Sequence, residues 1–518
     1  MACQLYCLAG MIELSHLKAV VLNGAAFYVT IKRRRSPETK LSWFRLNKVK
    51  TMNRFKIILQ DKSFLKKTMA ITAPIALQNM LNNILNLIDT LMIGQMGETT
   101  VAAVGLANKV FFVFSLLLFG ICSGSGVLAS QFWGKRELLN IRRVLRMTLY
   151  IGVGGSLLFV IPGIFFPEFV MSIFTPEEGT IAIGAVYLAV IAISYPLTAV
   201  SLSYSSILRS MNYVRLPVVI TSIAIAINIT LNYALIFGHF GFPEMGVAGA
   251  ALATVIARIV EFSLLLLIIH LHKAGDDGLG DFIHLKYHKK EENNVPFIHK
   301  SFVEKFLITA SPVIANEFMW GLGVTMYSLV YGRMGVEATA AITITSNVEQ
   351  VAMVFFFGIC SAAAVILGNE LGADELEKAE EYAKNFILLQ FCLSVIGGII
   401  TLIIKDPIIS IFEISDLVAS YISNCLIIFA CVMPIRMLNA LLIVSIFRSG
   451  GDTKIALFLD VTGVWLIGIP MAVLGGLVLH LPVYVVYGLI LIEEIYKIIL
   501  GYFRYRQKKW VKNIVSSL

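Results

Sequence analysis

The chain has 518 residues, of which 58% are hydrophobic and 14% charged, with a formal net charge of +9. Soluble domains carry roughly 25% charged residues, and no soluble core needs this much apolar side chain. Successive apolar runs of about 20 residues or more, each long enough to cross ~30 Å of hydrocarbon, make this a polytopic membrane protein. The runs are too long and uniform for barrel strands, so helices satisfy the backbone amides.

Residues 1–51 are unlike the rest of the chain: a weakly apolar stretch, Ala19 to Ile31, precedes Lys32-Arg33-Arg34-Arg35. A secretory signal places its positive residues first. We read 1–51 as an extension or a start assigned too far upstream, with Met52 opening the core of the protein. Beyond Met52 lie twelve spans, near 66–93, 101–132, 144–167, 180–208, 215–238, 246–271, 303–331, 338–368, 381–404, 417–447, 455–479 and 482–503. They divide into a first six-helix half (52–272), a polar linker (273–300), a second six-helix half (301–505) and a basic tail (506–518).

Lys and Arg gather on alternate loops, at Lys62–Lys67, Lys135–Arg146, Arg209–Arg215, the linker, Arg448–Lys454 and the tail, whereas the loop at 166–179 is acidic. The positive-inside rule therefore places both termini in the cytoplasm. The net positive charge thus sets orientation and does not point to nucleic acid. The seven cysteines (Cys3, Cys7, Cys122, Cys360, Cys392, Cys425 and Cys431) show no metal-ligand or disulfide spacing.

The two halves resemble each other. Residues 93–134 align without a gap to residues 331–372, with 14 of 42 positions identical. Gly94-Gln95-Met96-Gly97 matches Gly332-Arg333-Met334-Gly335, and Phe119-Gly120-Ile121-Cys122-Ser123 matches Phe357-Gly358-Ile359-Cys360-Ser361. Pro74 and Pro312 keep the same offset, as do Pro196 and Pro434, and Arg209-Ser210 recurs one residue out of step as Arg448-Ser449. Both halves start on the same side, so they are parallel repeats related by a pseudo-twofold axis along the membrane normal.

The run from Pro74 to Gly97 (PIALQNMLNNILNLIDTLMIGQMG) resembles the first-helix signature of multidrug and toxic compound extrusion (MATE) transporters. The ends QFWG and GNELG, the segments ILRSMNYVRLP and IFRSGGDTKIA, and the region of Asn228, Asn232, Gly246 and Gly249 are similar to later helices of that family. The likeness covers roughly residues 60–505. It implies an all-α fold of two six-helix lobes around a central cavity. It also implies an antiporter of the cell membrane that exports organic, often cationic, compounds in exchange for H+ or Na+, with no cofactor.

Acids inside a bilayer are costly and call for a pairing or functional explanation. Asp89 lies at the family's IDT motif, and the resemblance makes it a proton-coupling candidate; desolvation favours the neutral form of a carboxyl group. Its repeat partner is Tyr327. The alternative for Asp89 is a structural cap near the helix end. Glu317, with Asn79 as its repeat partner, resembles the seventh-helix acid of sodium-driven members, so a Na+ site near Glu317 is the second coupling candidate. Pro74 cannot donate its amide and is expected to hinge the first helix.

Asn79, Asn82 and Asn86, together with Asn83, share one helical face leading to Asp89. These, with Asn228, Asn232, Trp320, Glu349 and Arg436, are the candidate cavity residues; Arg436 has Glu317 and Glu349 as available partners. Arg258 and Glu261 are spaced for an intrahelical ion pair, and Glu493, Glu494 and Lys497 for mutual neutralisation, while Asp460 reads as structural. We expect small organic cations or drugs as substrates, lipid as surroundings, no nucleic acid partner, and a monomer. The alternative is a flippase for lipid-linked sugars of related architecture, whose pyrophosphate substrate would call for a basic cavity; here intramembrane acids outnumber bases. An enzyme is disfavoured, since no Walker A loop, HExxH or GxSxG motif occurs.

Overall fold

The computed structural model describes residues 61–271, 299–412 and 414–516. The extension 1–51 and nearly all of the linker 273–300 lie outside them. The chain forms two compact units, Met1–Lys67 and Thr68–Leu518. Of the first, only residues 61–67 are described; they open the first helix, where Asp61 caps the amide of Phe64 at 2.9 Å. Both halves of the repeat lie in the second unit.

The described residues are helical throughout. In the first half run α1 (Lys62–Gly94), α2 (Glu98–Gly134), α3 (Leu138–Phe165), a short α4 (Pro167–Ser172), α5 (Glu178–Ile191), α6 (Ser194–Ser210), α7 (Arg215–Phe237) and α8 (Gly246–Leu271). The second half holds α9 (Lys300–Arg333), α10 (Val336–Gly372), α11 (Leu376–Ile409) and α12 (Asp416–Ala440), the last continuing as a π-helix over Leu441–Phe447. Then come α13 (Thr453–Thr462), a π-helical Gly463–Gly468, α14 (Ile469–Val473), a second π stretch (Leu474–Val478), α15 (Val483–Ile490) and α16 (Ile492–Arg506).

Among the described residues nine helices are long and apolar enough to cross a membrane, or ten when α5 and α6, bent by 47°, count as one span. The other two expected spans are helical where predicted but weaker as apolar runs. Four asparagines dilute α1, and the last span breaks at Leu491, beside Glu493, Glu494 and Lys497. Pro74 does not interrupt α1, which stays one α-helix from Lys62 to Gly94.

The sequence repeat is also a backbone repeat. The duplicated Gly-x-Met-Gly motif forms the turn after the first helix of each half, where Gly97 (φ 104°) and Gly335 (φ 117°) adopt a conformation that a Cβ disfavours. Left-handed residues recur at matching places: Arg136 and Asp374, then, one residue further out of step, Asn212 with Gly451 and Gly241 with His480. The longer step is the one that separates Arg209 from Arg448, so the register of the two halves holds beyond the region of identity.

Contacts between the halves concentrate toward the end that carries the basic loops. There α2 packs on α9 and α10, and the absence of a side chain lets Gly120 and Gly124 approach the backbones of Ile314 and Ala310. One apolar core spans the boundary at this end, joining Leu128, Phe132, Leu145 and Leu208 to Phe302, Phe306 and Val515. At the opposite end the cores are separate, around Phe114, Leu188 and Tyr195 in the first half and Val330, Ile422 and Val486 in the second.

The tail is not a free basic segment. Trp510 and Val515 are fully buried. The Gln131 amide donates to the carbonyls of Ser449 (2.6 Å) and Lys512 (3.2 Å) and accepts from the Ile514 amide (2.8 Å).

Candidate functional site

Asp89 sits one turn before the end of α1, facing α7 within the first half. Asn232 donates to its Oδ1 at 2.7 Å and also to Asn228 Oδ1 at 3.1 Å, and Asn228 donates to Thr254 at 3.2 Å. The i, i+4 spacing of Asn228 and Asn232 puts both amides on one face of α7, and both are buried. The result is a polar chain from α1 through α7 to α8, buried at Asn228 and Asn232 and half-buried at Asp89. The partner of Asp89 is thus a side chain and not the backbone amides of a cap. Among the described residues no basic side chain forms an ion pair with it; the nearby Arg258 is engaged with Glu261 at 2.6 Å.

The asparagines of α1 are not part of this chain. Asn79 and Asn82 are half-buried and Asn86 is exposed. Trp320 is also exposed, which leaves its ring on a surface and out of the core.

Glu317 and Glu349 each lie in a neutralised pair. Glu317 lies 2.8 Å from the guanidinium of Arg448, which also donates to Ser123 of the first half at 3.0 Å. The positive charge that a sodium ion would bring to Glu317 is therefore already supplied by the chain. Arg436 pairs with Glu349 at 2.8 Å, not with Glu317, and the Tyr487 hydroxyl also donates to Glu349. In the last span, Lys497 pairs with Glu493 (3.3 Å) but also with Asp460 (2.9 Å), whereas Glu494 receives the Asn439 amide (2.7 Å).

Sequence reasoning missed the bridge from Arg448 to Glu317 and Ser123. Its signal was present in the duplicated Arg-Ser motif: the repeat partner of Glu317 is uncharged, so only the second copy of the arginine gains an acid. Among the described residues, no group of three or more His, Cys, Asp and Glu could hold a metal ion.

The family model MatE matches residues 74–234 and again 312–474, so each match begins at one of the two equivalent prolines. The uncharacterized transporter YisQ of Bacillus subtilis is 25% identical over 458 residues, covering 87% of this chain and 96% of its own length. A probable multidrug resistance protein NorM of Thermotoga maritima is 26% identical over 461 residues, covering 87% and 94%. Among solved structures, a mutant of the Vibrio cholerae MATE transporter VcmN superposes with a TM-score of 0.75 at 17% identity, over 86% of this chain and 97% of that one. A MOP superfamily transporter from Pyrococcus furiosus reaches 0.72 at 18% identity, over 86% and 95%. The duplicated helical halves, their apolar membrane-spanning helices and the family match to both halves lead to one conclusion: the chain belongs to the MatE family and is a multi-pass membrane transporter.

Proposed function

We propose that this protein is a proton-coupled antiporter that exports amphipathic organic cations, with Asp89 as the group that carries the proton. The observation behind this reading is the contrast between the half-buried Asp89 and three buried acids. Glu261, Glu317 and Glu349 each have a basic partner of their own within 2.8 Å, while Asp89 is hydrogen-bonded to the neutral Asn232 and, among the described residues, forms no ion pair. An acid without an ion-pair partner in a membrane interior is favoured in its neutral form, whereas an acid in an ion pair does not take up a proton without stranding its partner's charge. Protonation also turns Asp89 from acceptor to donor, which rearranges its bond to Asn232 and so couples α1 to α7. The multidrug names of relatives such as NorM support organic compounds as cargo. The positive-inside rule places the basic, closed end of the protein toward the cytoplasm.

The test is ethidium efflux from liposomes holding the purified protein, with proton and sodium gradients imposed separately and voltage clamped. Efflux should follow the proton gradient alone and disappear in Asp89→Asn. Efflux driven by sodium alone, or full proton-driven export by Asp89→Asn, would overturn the assignment.

A further inference from the structure

We infer that the second half holds a proton site of its own, centred on Glu493 beside Lys497 and Asp460, at the place that corresponds to the Asp89 pocket. This rests on the proton-coupled reading above and adds a second carrier to it.

The backbone register fixes the correspondence. Tyr327 stands where Asp89 stands in the first half, separated from it by the step that relates Gly97 to Gly335. The step that relates Arg209 to Arg448 also pairs Thr254 with Glu493, Arg258 with Lys497, and Thr221 with Asp460. In the first half the polar chain runs from the acid Asp89 on the first span to the hydroxyl of Thr254 on the sixth. In the second it is reversed: the hydroxyl of Tyr327 on the first span donates to Glu493 on the last, at 2.7 Å. The carboxyl has changed helices while the pocket has stayed.

Charge around this pocket does not balance. Asp460 and Glu493, in the last two spans, share the single ammonium of Lys497, and Glu494 beside Glu493 accepts from the neutral Asn439. The guanidinium groups of Arg436 and Arg448 pair with Glu349 and Glu317. The other polar groups against the cluster are neutral: Tyr327 and Asn316 from α9, and Asn439 from α12. Tyr331, one turn beyond Tyr327 on α9, is also buried. Three carboxylates thus stand beside one ammonium, an imbalance that is costly in a membrane interior.

A separate observation indicates what is missing. Asn316 is only 3% exposed and donates to Asp460 at 3.1 Å, yet its Oδ1 has no hydrogen-bond partner. Asn232 leaves the same atom unpartnered beside Asp89. Each is an idle acceptor next to a carboxylate, and a protonated carboxyl is the donor that such an amide, turned over, would accept from. The backbone opposite is π-helical over Gly463–Gly468, a geometry that recurs at functional sites. A Cβ at Gly468 would fall on the Tyr327 hydroxyl and the Glu493 carboxylate.

With one proton in each half, exchange for a monovalent cation moves one net positive charge inward per cycle. Membrane potential then drives export, by roughly forty-fold in the attainable substrate gradient per 100 mV. Liposomes loaded with ethidium, at equal pH on both sides, would be given an inside-negative potassium diffusion potential. The wild-type protein should accelerate efflux several-fold under that potential. Glu493→Gln, which leaves Lys497 paired with Asp460, should keep efflux driven by a pH gradient and lose the response to voltage. A wild type blind to voltage, or an unchanged voltage response in Glu493→Gln, would overturn the proposal.

Infrared difference spectra between low and high pH read the site without transport. The wild type should show carboxylic-acid bands of which Glu493→Gln removes one and Asp89→Asn another. A Glu493→Gln spectrum identical to wild type would refute the second site. Absence of ethidium efflux under every gradient, with the Glu493 band present, would count against the drug-export reading alone.

Discussion

Arg448 of the second half donates to the hydroxyl of Ser123 in the first at 3.0 Å while its other terminal nitrogen holds Glu317 at 2.8 Å. Arg448 is 1% exposed, so a buried charge bridges the boundary between the halves. Removing one member of a buried pair costs about 3–5 kcal/mol because the other charge is stranded. Glu317→Gln should therefore lower the melting temperature of the purified protein sharply. Adding Arg448→Met to it should recover much of the loss; a double variant less stable than either single would contradict the pairing.

The tail is held at the same end through Gln131, which engages Lys512 and Ile514 as well as Ser449. Gln131→Ala removes the donor to Lys512 and the acceptor for Ile514 together. Trypsin should then cut at Lys508, Lys509 and Lys512 several-fold faster than in the wild type. An unchanged cleavage rate would mean that burial of Trp510 and Val515 suffices to hold the segment.

Glu349 is satisfied by Arg436 and by the hydroxyl of Tyr487. A hydrogen bond to a charged group contributes about 1.5–3 kcal/mol. Tyr487→Phe should lose stability of that order in denaturant or thermal melts, yet still export ethidium under a proton gradient. Loss of proton coupling in Tyr487→Phe would instead place Glu349 in the transport cycle.

Gly97 and Gly335 occupy the same left-handed turn, and an alanine at positive φ destabilises by more than ~1 kcal/mol. Gly94, by contrast, has no positive φ and no neighbour within 4 Å of a Cβ. Gly335→Ala and Gly97→Ala should both lower thermal stability, and Gly94→Ala should not. Equal melting temperatures for all three would remove the turn as the reason for the duplicated motif.

What the sequence by itself determined was local or repeated. Apolar runs long enough for a bilayer, the duplication marked by Gly94–Gly97 and Gly332–Gly335, and the Arg258–Glu261 pair three residues apart were all legible, because each arises from chain geometry over one or a few helical turns. The polar chain was legible in part: Asn228 and Asn232 share a face by spacing alone, but that Asn232 rather than Asn86 meets Asp89 depends on how α7 lies against α1. Tertiary structure alone decided that Arg436 takes Glu349, that Arg448 takes Glu317, that Lys497 divides between Glu493 and Asp460, and that Trp510 is buried. Those partners stand on different helices, so which charges meet is set by how apolar helices pack, and packing is a property of shape that hydropathy along a chain does not encode.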